Sequence, residues 1–136
     1  MSEHYSLVKR LPSVAEYHRL RVAVGWECMD PKPTEIGLRN SLYSTCVLFK
    51  NEVIGYGRVV GDGAIFFYIQ DIMVMPEHQR KGVGTLIMNA IMSFLNTHAQ
   101  KYTFVGLMAA KDASGFYQRF GFQARPSDEP GMFKEY

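Results

Sequence analysis

Asp71-Ile72-Met73-Val74-Met75-Pro76-Glu77-His78-Gln79-Arg80-Lys81-Gly82-Val83-Gly84-Thr85 decides how this chain folds. It joins an apolar run, residues 64–74, to a stretch in which Val83, Leu86, Ile87, Ala90, Ile91, Phe94 and Leu95 recur at helical spacing. The first pattern predicts a long central strand ended by Pro76, and the second predicts an amphipathic helix. Where such a helix begins, amides without internal acceptors lie at the positive end of the macrodipole, so an anion can dock there. Gly82 and Gly84 keep side chains away from a phosphate approaching the backbone, while Arg80 and Lys81 add charge and Thr85 a hydroxyl donor. A diphosphate suits this turn better than a single phosphate. The nucleoside-triphosphate loop GxxxxGK[ST] is absent, and the third glycine of the dinucleotide fingerprint would fall on Ile87. A Gly-rich turn that merely starts a helix is the other reading.

Outward from this stretch, residues 45–49 and 53–60 read as two strands around the turn Lys50-Asn51-Glu52. Gly61-Asp62-Gly63 is a tight turn into the long strand. Further upstream, Ser13 and Glu16 form a capping box ahead of Val14, Tyr17, Leu20 and Val24 at helical spacing, and Gly25 stops that helix. Asp30-Pro31-Lys32-Pro33 reads as a loop and residues 34–42 as a second, weaker helix. Downstream, residues 102–108 read as a buried strand. Asp112 can cap a short helix carrying Phe116, Tyr117 and Phe120, closed by Gly121. Residues 122–136 read as a final strand or hairpin interrupted by Pro126 and Pro130. Helices, an antiparallel meander, then alternating strand and helix predict an α/β fold (an α+β mixed sheet) in a single domain, residues 1–136.

Composition narrows the function. The 136 residues carry 15 Lys+Arg and 13 Asp+Glu, a formal net charge of +2, and the basic residues never cluster beyond pairs. A nucleic-acid module or a membrane-surface protein is therefore not expected. No apolar run approaches a bilayer span and the N-terminus has no secretory apolar core, so a cytoplasmic location is the default expectation. Cys28 and Cys46 read as small core residues of a reducing compartment. The four histidines show no metal spacing, and no metal is expected.

The stretch quoted above resembles the acetyl-CoA signature of the GNAT superfamily of N-acetyltransferases: an apolar strand ending V-x-P, then Q/R-x-x-G-x-G/A opening a helix, matched by Gln79, Gly82 and Gly84. A second stretch, Phe116-Tyr117-Gln118-Arg119-Phe120-Gly121-Phe122, is similar to the superfamily's C-terminal F-Y-x-x-x-G-F motif, and reads like that of the serotonin (arylalkylamine) N-acetyltransferases. The two motifs and the element order between them cover about residues 45–123. The resemblance implies a central, mostly antiparallel sheet with splayed strands, flanked by helices. It implies acetyl-CoA as co-substrate, its diphosphate on the amides of Gln79, Arg80, Lys81, Gly82, Val83, Gly84 and Thr85. The pantetheine arm would run along the main chain of Ile72, Met73 and Val74, whose side chains read equally well as core.

The reaction so implied is attack of a neutral amine on the thioester. It needs an oxyanion donor and an acid for the leaving sulfur. The resemblance gives the acid role, close to the sulfur, to Tyr117, whose phenol is protonated at neutral pH with a pKa of about 10; packed as an ordinary aromatic is its plainer reading. A strand amide near Met73 would be the oxyanion donor. Some relatives carry a strand glutamate as base; none stands at the equivalent place near Tyr68, and Asp71 is the only carboxylate on this strand. Asp71 is thus the candidate base, directly or through a water, and an acceptor for neighbouring backbone or Arg groups is the equal alternative. Many relatives place an Asn on the pantetheine arm where this chain has Ala110, leaving Lys111, Asp112 or Ser114 to compensate. Family topology puts Trp26, Glu27, Tyr56, Arg58, Tyr68 and Gln70 by the acceptor cleft, where Glu27 suits an ammonium group and Arg58 a carboxylate. The expected acceptor is a small-molecule amine or a protein amine. A non-catalytic acyl-CoA-binding or sensor protein of the same fold is the alternative. The family's frequent dimerisation through C-terminal strands makes a homodimer one expectation.

Overall fold

A computed structural model describes residues 4–136. Among them, the elements run β1 (Ser6–Val8), α1 (Val14–Ala23), α2 (Pro31–Arg39), β2 (Tyr43–Phe49), β3 (Glu52–Gly61), β4 (Phe66–Val74), a 3-10 turn (Pro76–His78), α3 (Val83–His98), β5 (Phe104–Gly106) and α4 (Ser114–Gln118). The strands form one sheet in chain order, antiparallel from β1 to β4, with β5 parallel to β4. This is the mixed sheet flanked by helices that the sequence predicts. No helix among the described residues is long and apolar enough to cross a membrane.

Two cores lie on opposite faces of the sheet. Val83, Ile87, Met88, Ile91 and Leu95 of α3 pack with Val47, Ile54, Val59, Phe67 and Ile69. Tyr17 and Leu20 of α1 and Leu38 of α2 pack with Cys46, Val53, Tyr56 and Met73. Gly57 lets α3 sit close: a Cβ there would stand 2.5 Å from Ile87 and 2.7 Å from Ile72.

β4 changes face partway along. Tyr56 and Arg58 of β3 oppose Met73 and Gln70 of β4, so β4 carries one extra residue here, and Asp71 in it has φ 62°. Before this bulge, Phe67 and Ile69 face the α3 core. Beyond it, Met73 joins the α1 core and Ile72 and Val74 pack on the α3 side. An inserted residue reverses the period-two alternation of a strand.

Several local expectations need correction. Pro31 and Pro33 lie inside α2 rather than in a loop, since proline is tolerated in a helix's first turn, where amides lack partners anyway. The helix ends at Arg39, not residue 42. β1 carries too short a pattern to be read from sequence. The strand expected over 102–108 shrinks to Phe104–Gly106, and residues 122–136 form no strand or hairpin. Cys46 is buried, its thiol pushed up to about 11 by that burial, but Cys28 is exposed. The capping box is present, with Ser13 Oγ accepting from the Glu16 amide at 3.0 Å and Glu16 accepting from the Ser13 amide at 2.8 Å.

Candidate active site

β4 and β5 are paired only as far as Tyr68 and Gly106. Past that point β4 runs on to Val74 while the chain after β5 turns away. One edge of residues 69–74, about 17 Å of strand, is left without a strand partner. The gap opens into a cleft of about 490 Å³ lined by Arg21, Trp26 and Glu27 on the α1 side and by Tyr68, Gln70, Asp71 and Ile72 of β4. Met108, Ala109, Ala110 and Tyr117 close the far side, and Glu135 of the C-terminal segment reaches its rim.

The signature turn lies at the far end of the same strand edge. Gln79 Nε2 donates to the Val74 carbonyl at 2.9 Å, tying the turn to the end of β4. Arg80 and Gly82 both adopt left-handed conformations, φ 62° and 85°, and Gly82 is the N-cap of α3. Gly82 has open space where a Cβ would stand, whereas a Cβ at Gly84 would meet the Phe116 ring at 3.3 Å. The two glycines thus serve different ends: Gly82 shapes the turn and leaves it bare, and Gly84 lets α4 seat against α3. The first amides of α3, Val83 to Thr85, have no intrahelical acceptor, as in any helix.

Sequence reading overlooked Arg119. Its guanidinium lies over Phe116 and Phe120, at 5.2 and 5.9 Å, and Nη2 donates to Thr85 Oγ1 at 3.5 Å. A further cation therefore stands beside the turn, brought there by the second motif. Its signal was its place in that motif, three residues after Phe116.

Tyr117 sits on α4, half-buried between Phe116 and the α3 core, and lines the cleft. Burial pushes its phenol above the ordinary value, and the hydroxyl makes no hydrogen bond to any described residue. Tyr68 is raised in the same way by burial, opposed by a hydrogen bond with the Met108 backbone.

Asp71 is engaged on all sides. Oδ2 accepts from Tyr17 Oη at 2.6 Å and Arg58 Nε at 2.8 Å; Oδ1 accepts from Gln70 Nε2 at 3.0 Å and Arg21 Nη1 at 3.2 Å. A carboxylate offers about four lone-pair sites, and these four donors occupy them. Tyr17 is pushed up to about 12, first by burial and then by this carboxylate. Arg58 does not line the cleft: besides Asp71 it donates to the Gly37 carbonyl at 3.2 Å and Ser41 Oγ at 3.3 Å, which turns it toward α2. Tyr56 is fully buried and bonded to Ser44 at 2.8 Å, away from the cleft. Trp26, Glu27, Tyr68 and Gln70 line the same cleft. Among the described residues no three His, Cys, Asp or Glu gather where a metal could be held.

Residues 41–124 match the Acetyltransferase (GNAT) domain family. An uncharacterized N-acetyltransferase, ycf52, of Porphyra purpurea is 27% identical over 122 residues, 87% of this chain and 69% of that protein. GCN5-related N-acetyltransferase 2, chloroplastic, of Arabidopsis thaliana is 32% identical over 85 residues, 62% of this chain and 32% of that protein. A protein of unknown function from meticillin-resistant Staphylococcus aureus, described as a probable acetyltransferase, superposes with a TM-score of 0.93 at 32% identity, covering 98% of this chain and 100% of that one. A strand edge left open between a cleft and a bare helix start is what residues 71–85 and 116–122 jointly build, and with the match over residues 41–124 it places this chain in the GNAT acetyltransferase family.

Proposed function

We propose that this protein transfers the acetyl group of acetyl-CoA to a primary amine, on a small molecule or a protein, by direct attack of the amine on the thioester. One observation carries the reading: the unpaired edge of β4 runs from the Tyr117 cleft to Val74, where Gln79 ties on the turn that leads to the Gly82-capped start of α3.

The residues present fit such a co-substrate. The amides at the start of α3, with Arg80 and Arg119 beside them, suit a diphosphate. The free edge of residues 72–74 offers main-chain groups with which an amide-bearing arm can pair as a strand would. The thioester supplies an activated acyl group; the chain supplies position and proton. A β4 amide at the bulge can donate to the charge developing on the carbonyl oxygen. Tyr117, protonated and with its hydroxyl uncommitted, can donate to the departing sulfur. Glu27 and Glu135, whose carboxylates have no partner among the described residues, favour an acceptor that arrives as a cation.

The test is release of CoA thiol from acetyl-CoA in the presence of an amine library, with the acetylated product identified by mass. Thiol release is expected only with amine present. Calorimetry showing no uptake of acetyl-CoA would overturn the reading.

A further inference from the structure

Burying a carboxylate costs several kcal/mol, which paired arginines roughly offset. The Asp71 cluster is therefore explained less by stability than by what it connects. Arg21 is the connection. Its Nη1 holds Asp71 at 3.2 Å, its Nε donates to the Glu27 carbonyl at 2.6 Å, and its guanidinium lies 5.4 Å from the Trp26 ring centroid. The Trp26 amide returns to the Arg21 carbonyl at 2.8 Å. Strand β4 and the segment carrying Trp26 and Glu27 are thus held by two edges of one planar fork. A lysine, whose three donors share one nitrogen on a flexible stem, offers no such rigid pair of edges.

The other cleft residue tied to Asp71 is Gln70. Its amide nitrogen donates to Oδ1, which leaves its amide oxygen, with no partner among the described residues, as an acceptor. Trp26, Glu27 and Gln70 together present a ring face, a carboxylate and an amide oxygen, the groups that receive an ammonium or amine N–H. All three are set by one buried acid.

We infer that Asp71 and Arg21 are positioning residues: Asp71, through Arg21 and Gln70, sets the amine-receiving wall of the cleft while leaving the acetyl-CoA track untouched. The kinetic part rests on the acetyl-transfer reading; the placement of Trp26 does not.

Trp26 is the only tryptophan in the chain, so its emission reports the wall without turnover. Arg21→Met, at a partly exposed side chain (14%), removes the fork while sparing the Arg58 and Tyr17 bonds to Asp71. We expect a red-shifted Trp26 emission and easier quenching by acrylamide. The amine KM should rise about tenfold, as the loss of one charge-assisted bond implies, with the acetyl-CoA KM unchanged. Arg21→Lys should restore neither. Asp71→Asn should shift the emission in the same direction. Wild-type emission and quenching in Arg21→Met would overturn the inference, as would parallel rises in both KM values. If the unaltered protein acetylates no amine, the acetyl-transfer reading falls, and the quenching comparison alone then decides the positioning role.

Discussion

The two halves of the cleft are made of different material. Toward α3 the site is main chain: helix amides, the free edge of β4, and a turn kept bare by Gly82. Toward α1 it is side chain, with Tyr17, Arg21, Arg58 and Gln70 locked onto one carboxylate. Backbone recognition depends on what is missing, so it tolerates replacement at most positions and fails where a Cβ or a charge intrudes. Side-chain recognition depends on what is present, and fails wherever one member is lost.

The largest expected effect lies on the side-chain half. Asp71→Ala should lower stability by about 3–5 kcal/mol, because it strands two guanidinium groups and the Tyr17 hydroxyl; a urea midpoint shift measures it. Next, Tyr117→Phe should lower kcat about a hundredfold, at the low end for losing a general acid, while calorimetric affinity for acetyl-CoA stays put. The pH profile sharpens this point. A phenol raised by burial stays protonated below its shifted pKa, so the wild-type rate should lose this acid only as pH climbs above 10, and an earlier fall would remove Tyr117 from the role. Smaller again, Gly82→Ala forces a side chain into a left-handed conformation (φ 85°) at a cost of about 1–2 kcal/mol. It should weaken acetyl-CoA binding with the amine KM unchanged, the mirror image of Arg21→Met.

The main-chain half was legible in the sequence because its requirements are local. A helix start, two glycines and a strand end fall within residues 71–85, and the spacing of Val83, Ile87 and Ile91 declares the helix. The side-chain half was only partly legible. Trp26, Glu27, Tyr68 and Gln70 do meet at the cleft, but the Arg21–Asp71 pair spans 50 residues, and nothing local to either marks the other. Arg58 could be drawn toward the cleft or toward Asp71, and only the packing of α2 decides it. The tail carries strand-forming residues such as Phe122 and Phe133, yet β5 is three residues long and offers almost no ladder to join.

The extra residue in β4 has a consequence for how this domain can vary. Both faces of the strand are covered, so the alternation of buried positions runs on through Asp71 as if nothing had happened, although the faces have exchanged. Removing that one extra residue, Gln70 or Asp71, would restore plain alternation with Ile72 and Met73 still on their present faces, so neither core needs it. What the bulge adds is two adjacent side chains, Gln70 and Asp71, on one face of a strand that would otherwise present only one there, and a strand a single codon shorter would keep its packing and lose either the acid or the amide beside it.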